Sequence, residues 1–154
     1  MSDSAEAGHV LWIDTSGPWC CVAIVTRQTV VVERCMQFQR GHGEVLLSEI
    51  DAVIGTAQLD FDDLATIGVC TGPGGYAGLR VGIAVAQGLS SATGKPLIGL
   101  PRPRTTGSEG PVLPLMAAEA IWERQRFGAT GAKPIYPMPP DAAVSTHKAP
   151  PLLD

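Results

Sequence analysis

The sequence predicts an α/β layered fold with a mixed sheet, its elements running β-β-β-α-β-α-β. Three observations carry that reading. "VLWID", "CCVAIV" and "VVVERC" are short β-rich runs separated by turn residues, the pattern of an antiparallel meander. "GHGEVLLSEIDAVIGTA" then switches the apolar repeat to helical spacing. Two further apolar runs, "TIGVC" and "KPLIGL", flank a second helical pattern, as strands joined by a crossover do.

The first run is stopped by the polar turn "DTSGP", and Thr26 to Thr29 separate the second from the third. In the first helical segment Leu46, Leu47, Ile50, Val53, Ile54 and Ala57 form one apolar face. Glu44, Ser48, Glu49 and Asp51 occupy the remainder, with Glu44 and Glu49 in the half favoured by the helix dipole. "LDFDDLA" reads as a connector with a brief helical turn, and Leu79 to Ala92 as the second helix. "VLPLMAAEAIWERQRFG" places Leu115, Ala118, Ile121 and Trp122 on one side of a third helix, with Gly128 as its stop. Ten of the thirteen prolines fall in residues 101–154, too many for much regular structure. The chain therefore divides into a polar extension (1–9), a dense lobe (10–100) and a proline-rich region (101–154) with one helix near 112–127.

Composition narrows the function classes. Hydrophobic residues make up 45% and charged residues 17%, a soluble globular balance. A net charge of −4 gives no support for a nucleic-acid surface built by this chain alone. Residues 1–95 hold ten acids and five bases, whereas 96–154 hold five acids and six bases. An anionic partner would have to be met locally or through another subunit. "MSDSAEAGH" is neither a secretory nor a transit signal, and no run approaches about 18 apolar residues, so a cytoplasmic protein without a membrane contact is expected. Cys20, Cys21, Cys35 and Cys70 show no CxxC spacing and lie in apolar segments, which reads as buried reduced thiols rather than a disulfide framework or metal site.

"CTGPGGYAGLRVGIAVAQGL" admits three roles. A Walker phosphate loop needs GxxxxGK[ST], but Gly78 is followed by Leu79 and Arg80, and the first lysine of the chain is Lys95. Gly72, Gly74 and Ala77 fit a loose dinucleotide turn, yet "KPLIGLPR" offers no acid for the ribose, and a meander is the wrong entry. The third role is packing. Gly78, Gly82 and Ala86 fall at i, i+4 and i+8, a face almost without side chains that lets another element approach closely. A helical glycine costs on the order of 1 kcal/mol against alanine, so Gly82 and Gly88 suggest a packing requirement. The neighbour is the helix Glu44–Ala57, a helix of another chain, or both.

"VLWIDTSGPWCCVAIV", "RGHGEVLLSEIDAVI" and "TGPGGYAGLRVGIAVAQGL" follow in an order and spacing that resemble the TsaB (YeaZ) family over about residues 10–100. The family hallmark reads TGPGSFTGLRVG, with Gly75, Tyr76 and Ala77 here in place of Ser, Phe and Thr. "KPIYPMPPDA" is a weaker echo of a C-terminal signature, P-x-Y-L-R-P-P-D-A, with Pro137 and Met138 replacing Leu and Arg. The resemblance implies the actin-like, hexokinase-like ATPase fold. It also implies the non-catalytic partner of TsaD in installing threonylcarbamoyl on the adenosine beside the anticodon of ANN-decoding tRNAs, with TsaE as the ATPase. The family pairs through its first two helices, in homodimers and with TsaD. That carries partner contacts onto Glu44, Leu47, Glu49, Gly78, Arg80, Gly82 and Ala86. Family members also carry a second lobe between the strand "KPLIGL" and the final signature; here that interval holds only "PRPRTTGSEGPVLPLMAAEAIWERQRFGATGA". A short form or an internally deleted copy follows, with a nucleotide cleft and the TsaE contact put in doubt.

Asp14, Thr15 and Ser16 lie where actin-fold ATPases hold phosphate and magnesium, and with Gly72 and Gly74 they form a vestigial nucleotide site or simply a turn. His42 and Glu44 suggest a metal or acid–base pair at first sight, but of the HxxxH pair through which TsaD binds metal only His42 is matched, because position 46 is Leu46; Glu44 suits a helix start instead. No nucleophile–base–orienter set for a peptidase can be assembled. Arg80 fits either an ion pair with a partner or a surface role, its stem covering apolar atoms. The leading expectation is a scaffold subunit requiring no cofactor, with tRNA met only through the complex. The alternatives are an ATPase with weak ATP or ADP binding shared with partner subunits, and an inactive truncated paralogue.

Overall fold

The computed structural model describes residues 8–37, 42–74, 76–102 and 110–126. The five strands are β1 (His9–Asp14), β2 (Trp19–Val25), β3 (Val30–Gln37), β4 (Leu64–Gly72) and β5 (Leu97–Pro101). The helices are α1 (His42–Thr56), α2 (Tyr76–Thr93) and α3 (Pro114–Arg126), with a 3-10 turn at Phe61–Asp63 before β4. The strands form one sheet in the order β3-β2-β1-β4-β5. β1–β2 and β2–β3 are antiparallel, β1–β4 and β4–β5 parallel. The mixed sheet and the β-β-β-α-β-α-β order expected from the sequence are both present.

Alternation along the strands divides the core in two. On β1, Leu11 and Ile13 face α1 and α2, where they meet Leu46, Ile50, Val53 and Ile83. Val10 and Trp12 point the other way, under Ala117, Ala118 and Ile121 of α3. Both faces of β1, β2 and β4 are thus covered, which is why these strands read as continuous apolar runs rather than alternating ones. β3 departs from its sequence: "VVVERCMQ" is nearly as apolar, but it is the last strand of the sheet and mostly exposed.

α1 closes on a Schellman arrangement. Leu59 N–H donates to Ile54 O at 3.1 Å and Gln58 N–H to Gly55 O at 3.0 Å. Gln58 takes the left-handed position, φ 57°, a place that normally falls to glycine. Leu59 then packs back on the core. α2 ends on Gly94 at φ 72°, where glycine is the expected residue.

The cysteines need a correction. Cys20 and Cys70 are buried free thiols, but Cys21 and Cys35 are bonded to each other. The antiparallel register sets Cys21 directly opposite Cys35, and the edge position of β3 leaves Cys35 exposed. Cysteine spacing along the chain cannot reveal a cross-strand pair of this kind.

Candidate functional site

Two strand ends and one helix start converge on the turn after β1. Asp14, Thr15 and Ser16 are all buried, and each is engaged. Asp14 Oδ1 accepts from Ser16 N–H at 3.0 Å and Ser16 Oγ at 2.6 Å, while Oδ2 accepts from Val112 N–H at 2.8 Å. Thr15 Oγ1 donates to Gly78 O in the first turns of α2, at 2.6 Å. The two loops interlock so closely that a Cβ on Gly74 would overlap the Ser16 carbonyl, and one on Gly82 would overlap Thr15 Oγ1. Gly72, at φ 91°, accepts Arg102 N–H at 2.7 Å on its carbonyl. The Arg102 guanidinium lies 5.2 Å from the Trp19 ring centroid and donates to Gly110 O. Residues 110–112 are thereby drawn over Asp14.

The electrostatics fit a closed knot rather than a reactive centre. Burial, reinforced by the charge of Asp14, pushes the Cys70 thiol up to about 12. Burial, then Glu49 and Asp14, pushes Cys20 up to about 11. Neither sulfur is a thiolate nucleophile near neutral pH. Among the described residues no three histidine, cysteine or acidic side chains gather as a metal group. No described helix is long and apolar enough to cross a membrane.

The expected partner residues separate into two sets. Gly78, Gly82 and Ala86 are buried, and what fills the small-residue face at Gly82 is Thr15 of the same chain, not a helix. Gly88, by contrast, has nothing of this chain within 4 Å of the space a Cβ would take, so packing among the described residues does not require it. Glu49 is also buried, its carboxylate held by Arg34 of β3 through Nε at 2.5 Å and Nη2 at 3.3 Å. Glu44, Leu47 and Arg80 are exposed. α1 and α2 meet at Gly43, where an added Cβ would lie 3.8 Å from Val81 Cγ1. Leu47, one turn further along α1, is 51% exposed. His42 opens α1, but its side chain lies outside the described residues, as do "KPIYPMPPDA", residues 1–7 and residues 103–109. Sequence reasoning missed Val112, Arg102 and Arg34, whose roles depend on partners far away in the chain.

A family model described as "TsaD: tRNA N6-adenosine threonylcarbamoyltransferase" matches residues 36–102. The fold agrees with a solved structure, YeaZ from Pseudomonas aeruginosa, at a TM-score of 0.58 and 26% identity, covering 61% of this chain and 44% of that one. The chain is YeaZ-like. The resemblance of "TGPGGYAGLRVG" to the TsaB (YeaZ) hallmark thus holds in fold as well as sequence, and the α/β lobe is of the actin-like kind. An uncharacterized protein of Mycobacterium tuberculosis is 39% identical over 97 residues, 62% of this chain and 46% of its own length. A tRNA N6-adenosine threonylcarbamoyltransferase of Clostridium botulinum is 44% identical over 61 residues, 40% of this chain and 18% of its own length. The YeaZ-like chain spans about half the length of the YeaZ structure and the mycobacterial relative it matches.

Proposed function

We infer that this YeaZ-like chain is an accessory subunit of tRNA N6-adenosine threonylcarbamoyl modification, docking a TsaD-like catalytic chain through the exposed face shared by α1 and α2. The observation that carries the reading is the Asp14 turn. Its carboxylate is buried and engaged on both oxygens by the chain's own donors, so the position that would hold a phosphate-bound cation is committed to holding the fold together. A lobe of this architecture without a working turn is suited to partnership. Leu47, Glu44 and Arg80 supply an apolar contact rimmed by both charges, the composition of a docking face. No cofactor is required of the chain itself. A TsaE-like ATPase and the tRNA join through the complex, in the cytoplasm, and a homodimer uses the same face.

Co-expression with the TsaD-like chain of the same host, followed by size-exclusion chromatography, tests this. Co-elution is expected, and Leu47→Asp should abolish it without lowering the thermal midpoint. Separate elution of the unaltered chains contradicts the reading. The ATPase alternative is favoured only by the position of Asp14, Thr15 and Ser16 beside the start of α2. Isothermal titration with Mg-ATP should give no saturable heat if the turn is structural.

A further inference from the structure

We propose that Cys35 and Cys21 form a reversible thiol–disulfide couple, opened and closed by low-molecular-weight thiols and disulfides, with Cys35 as the sulfur that exchanges. The two are register partners on antiparallel β2 and β3, with Cα atoms 4.0 Å apart, and the structure joins them. They differ in access: Cys21 is buried, whereas Cys35 lies on an exposed strand.

Exchange requires a thiolate to approach along the S–S line, from behind the sulfur under attack. Behind Cys35 lies the outer edge of β3, the last strand of the sheet, which pairs with no further strand among the described residues. Behind Cys21 lies β1, where its register partner is Asp14, buried and bonded to Val112. A thiolate arriving there would meet a carboxylate and a filled core. The remaining cysteines do not compete, because Cys20 and Cys70 are buried thiols pushed up to about 11 and about 12.

Opening proceeds in two balanced steps. A first thiolate attacks Cys35 Sγ, the Cys21–Cys35 bond breaks, and its electron pair leaves on Cys21 Sγ, which takes a proton from solvent. A second thiolate attacks the external sulfur of the mixed disulfide, releasing Cys35 as a thiol and the reagent as its disulfide. Two small thiols are oxidised and two protein sulfurs reduced; closing is the reverse. Opening the couple removes the covalent link between the edge strand and β2 but leaves their ladder, and Arg34 beside Cys35 ties β3 separately to Glu49 of α1. The closed form is expected to melt several degrees higher, since the bond limits the unfolded chain.

The test uses the full chain, incubated without denaturant in glutathione disulfide and then in excess reduced glutathione. It is quenched in acid and read by intact mass and non-reducing peptide mapping. In glutathione disulfide the chain should be two hydrogens lighter than its fully reduced form, with the peptides of Cys21 and Cys35 linked, and reduced glutathione should restore both hydrogens. Cys21→Ser should retain a single glutathione on Cys35, while native Cys35→Ser should take none. Four free thiols in glutathione disulfide, a link between other cysteines, or a bond that reduced glutathione opens only in denaturant would each overturn the proposal. Should Cys21→Ser fail to fold, the unaltered chain and Cys35→Ser, a change on the exposed strand, still decide it.

Discussion

Thr15 fills the space that a side chain at position 82 would need, and its hydroxyl is bonded to the carbonyl of Gly78 one turn earlier. The glycine face of α2 therefore serves the turn after β1. Gly82→Ala forces an overlap in a packed region and should destabilise the chain by about 1–3 kcal/mol. Gly88→Ala, in the same helix with open space around it, should stabilise by about 1 kcal/mol. Urea unfolding of the two variants checks the contrast, and equal effects would mean that the face is not filled as described.

Asp14→Asn keeps the shape of the side chain but replaces an oxygen with an amide donor. Whichever way the amide turns, it faces a backbone N–H, that of Ser16 or that of Val112, which cannot accept. A loss of about 2 kcal/mol is expected from the orphaned group. Hydrogen exchange at the Val112 amide should also quicken more than exchange in β2.

Gln58 ends α1 in a left-handed conformation. Gln58→Gly removes that cost and should raise stability by about 1 kcal/mol, read as a higher thermal midpoint. Gln58→Val should lower it.

Alkali should unfold the chain through its buried thiols. Unfolded cysteine ionises near 9.0, whereas Cys20 and Cys70 hold their protons to about 11 and about 12. Between those values the unfolded state binds fewer protons, so stability declines as pH rises. It should be independent of these groups below pH 8 or so. The urea midpoint measured from pH 7 to 11 should fall above pH 9, and fall less steeply in Cys70→Ala.

Much of the fold was legible because apolar period and turn residues speak locally. The runs around Trp12, Ala23 and Val69 announce strands, and Leu46, Ile50 and Val53 announce a helix packed on them. What depends on distant partners was not legible. The small face at Gly82 implied a close neighbour, but a Thr15 hydroxyl, 67 positions back, carries no helical signal. Asp14 meets Val112 across 98 positions, and its turn chemistry alone fits a phosphate site equally well. Glu49 looked like an interface acid until β3 brought Arg34 onto it. Nor was the edge position of β3 legible, because "VVV" does not say that no strand follows on its far side.

The accessory role is tested most directly by threonylcarbamoylation of an ANN-decoding tRNA in a mixture containing the host's TsaD-like and TsaE-like chains. Product should form with this chain present and fall to background without it. Leu47→Asp should behave like omission, and Asp14→Asn should retain the activity in proportion to the folded fraction. Full product without the chain, or undiminished product with Leu47→Asp, would contradict the role proposed for the α1–α2 face.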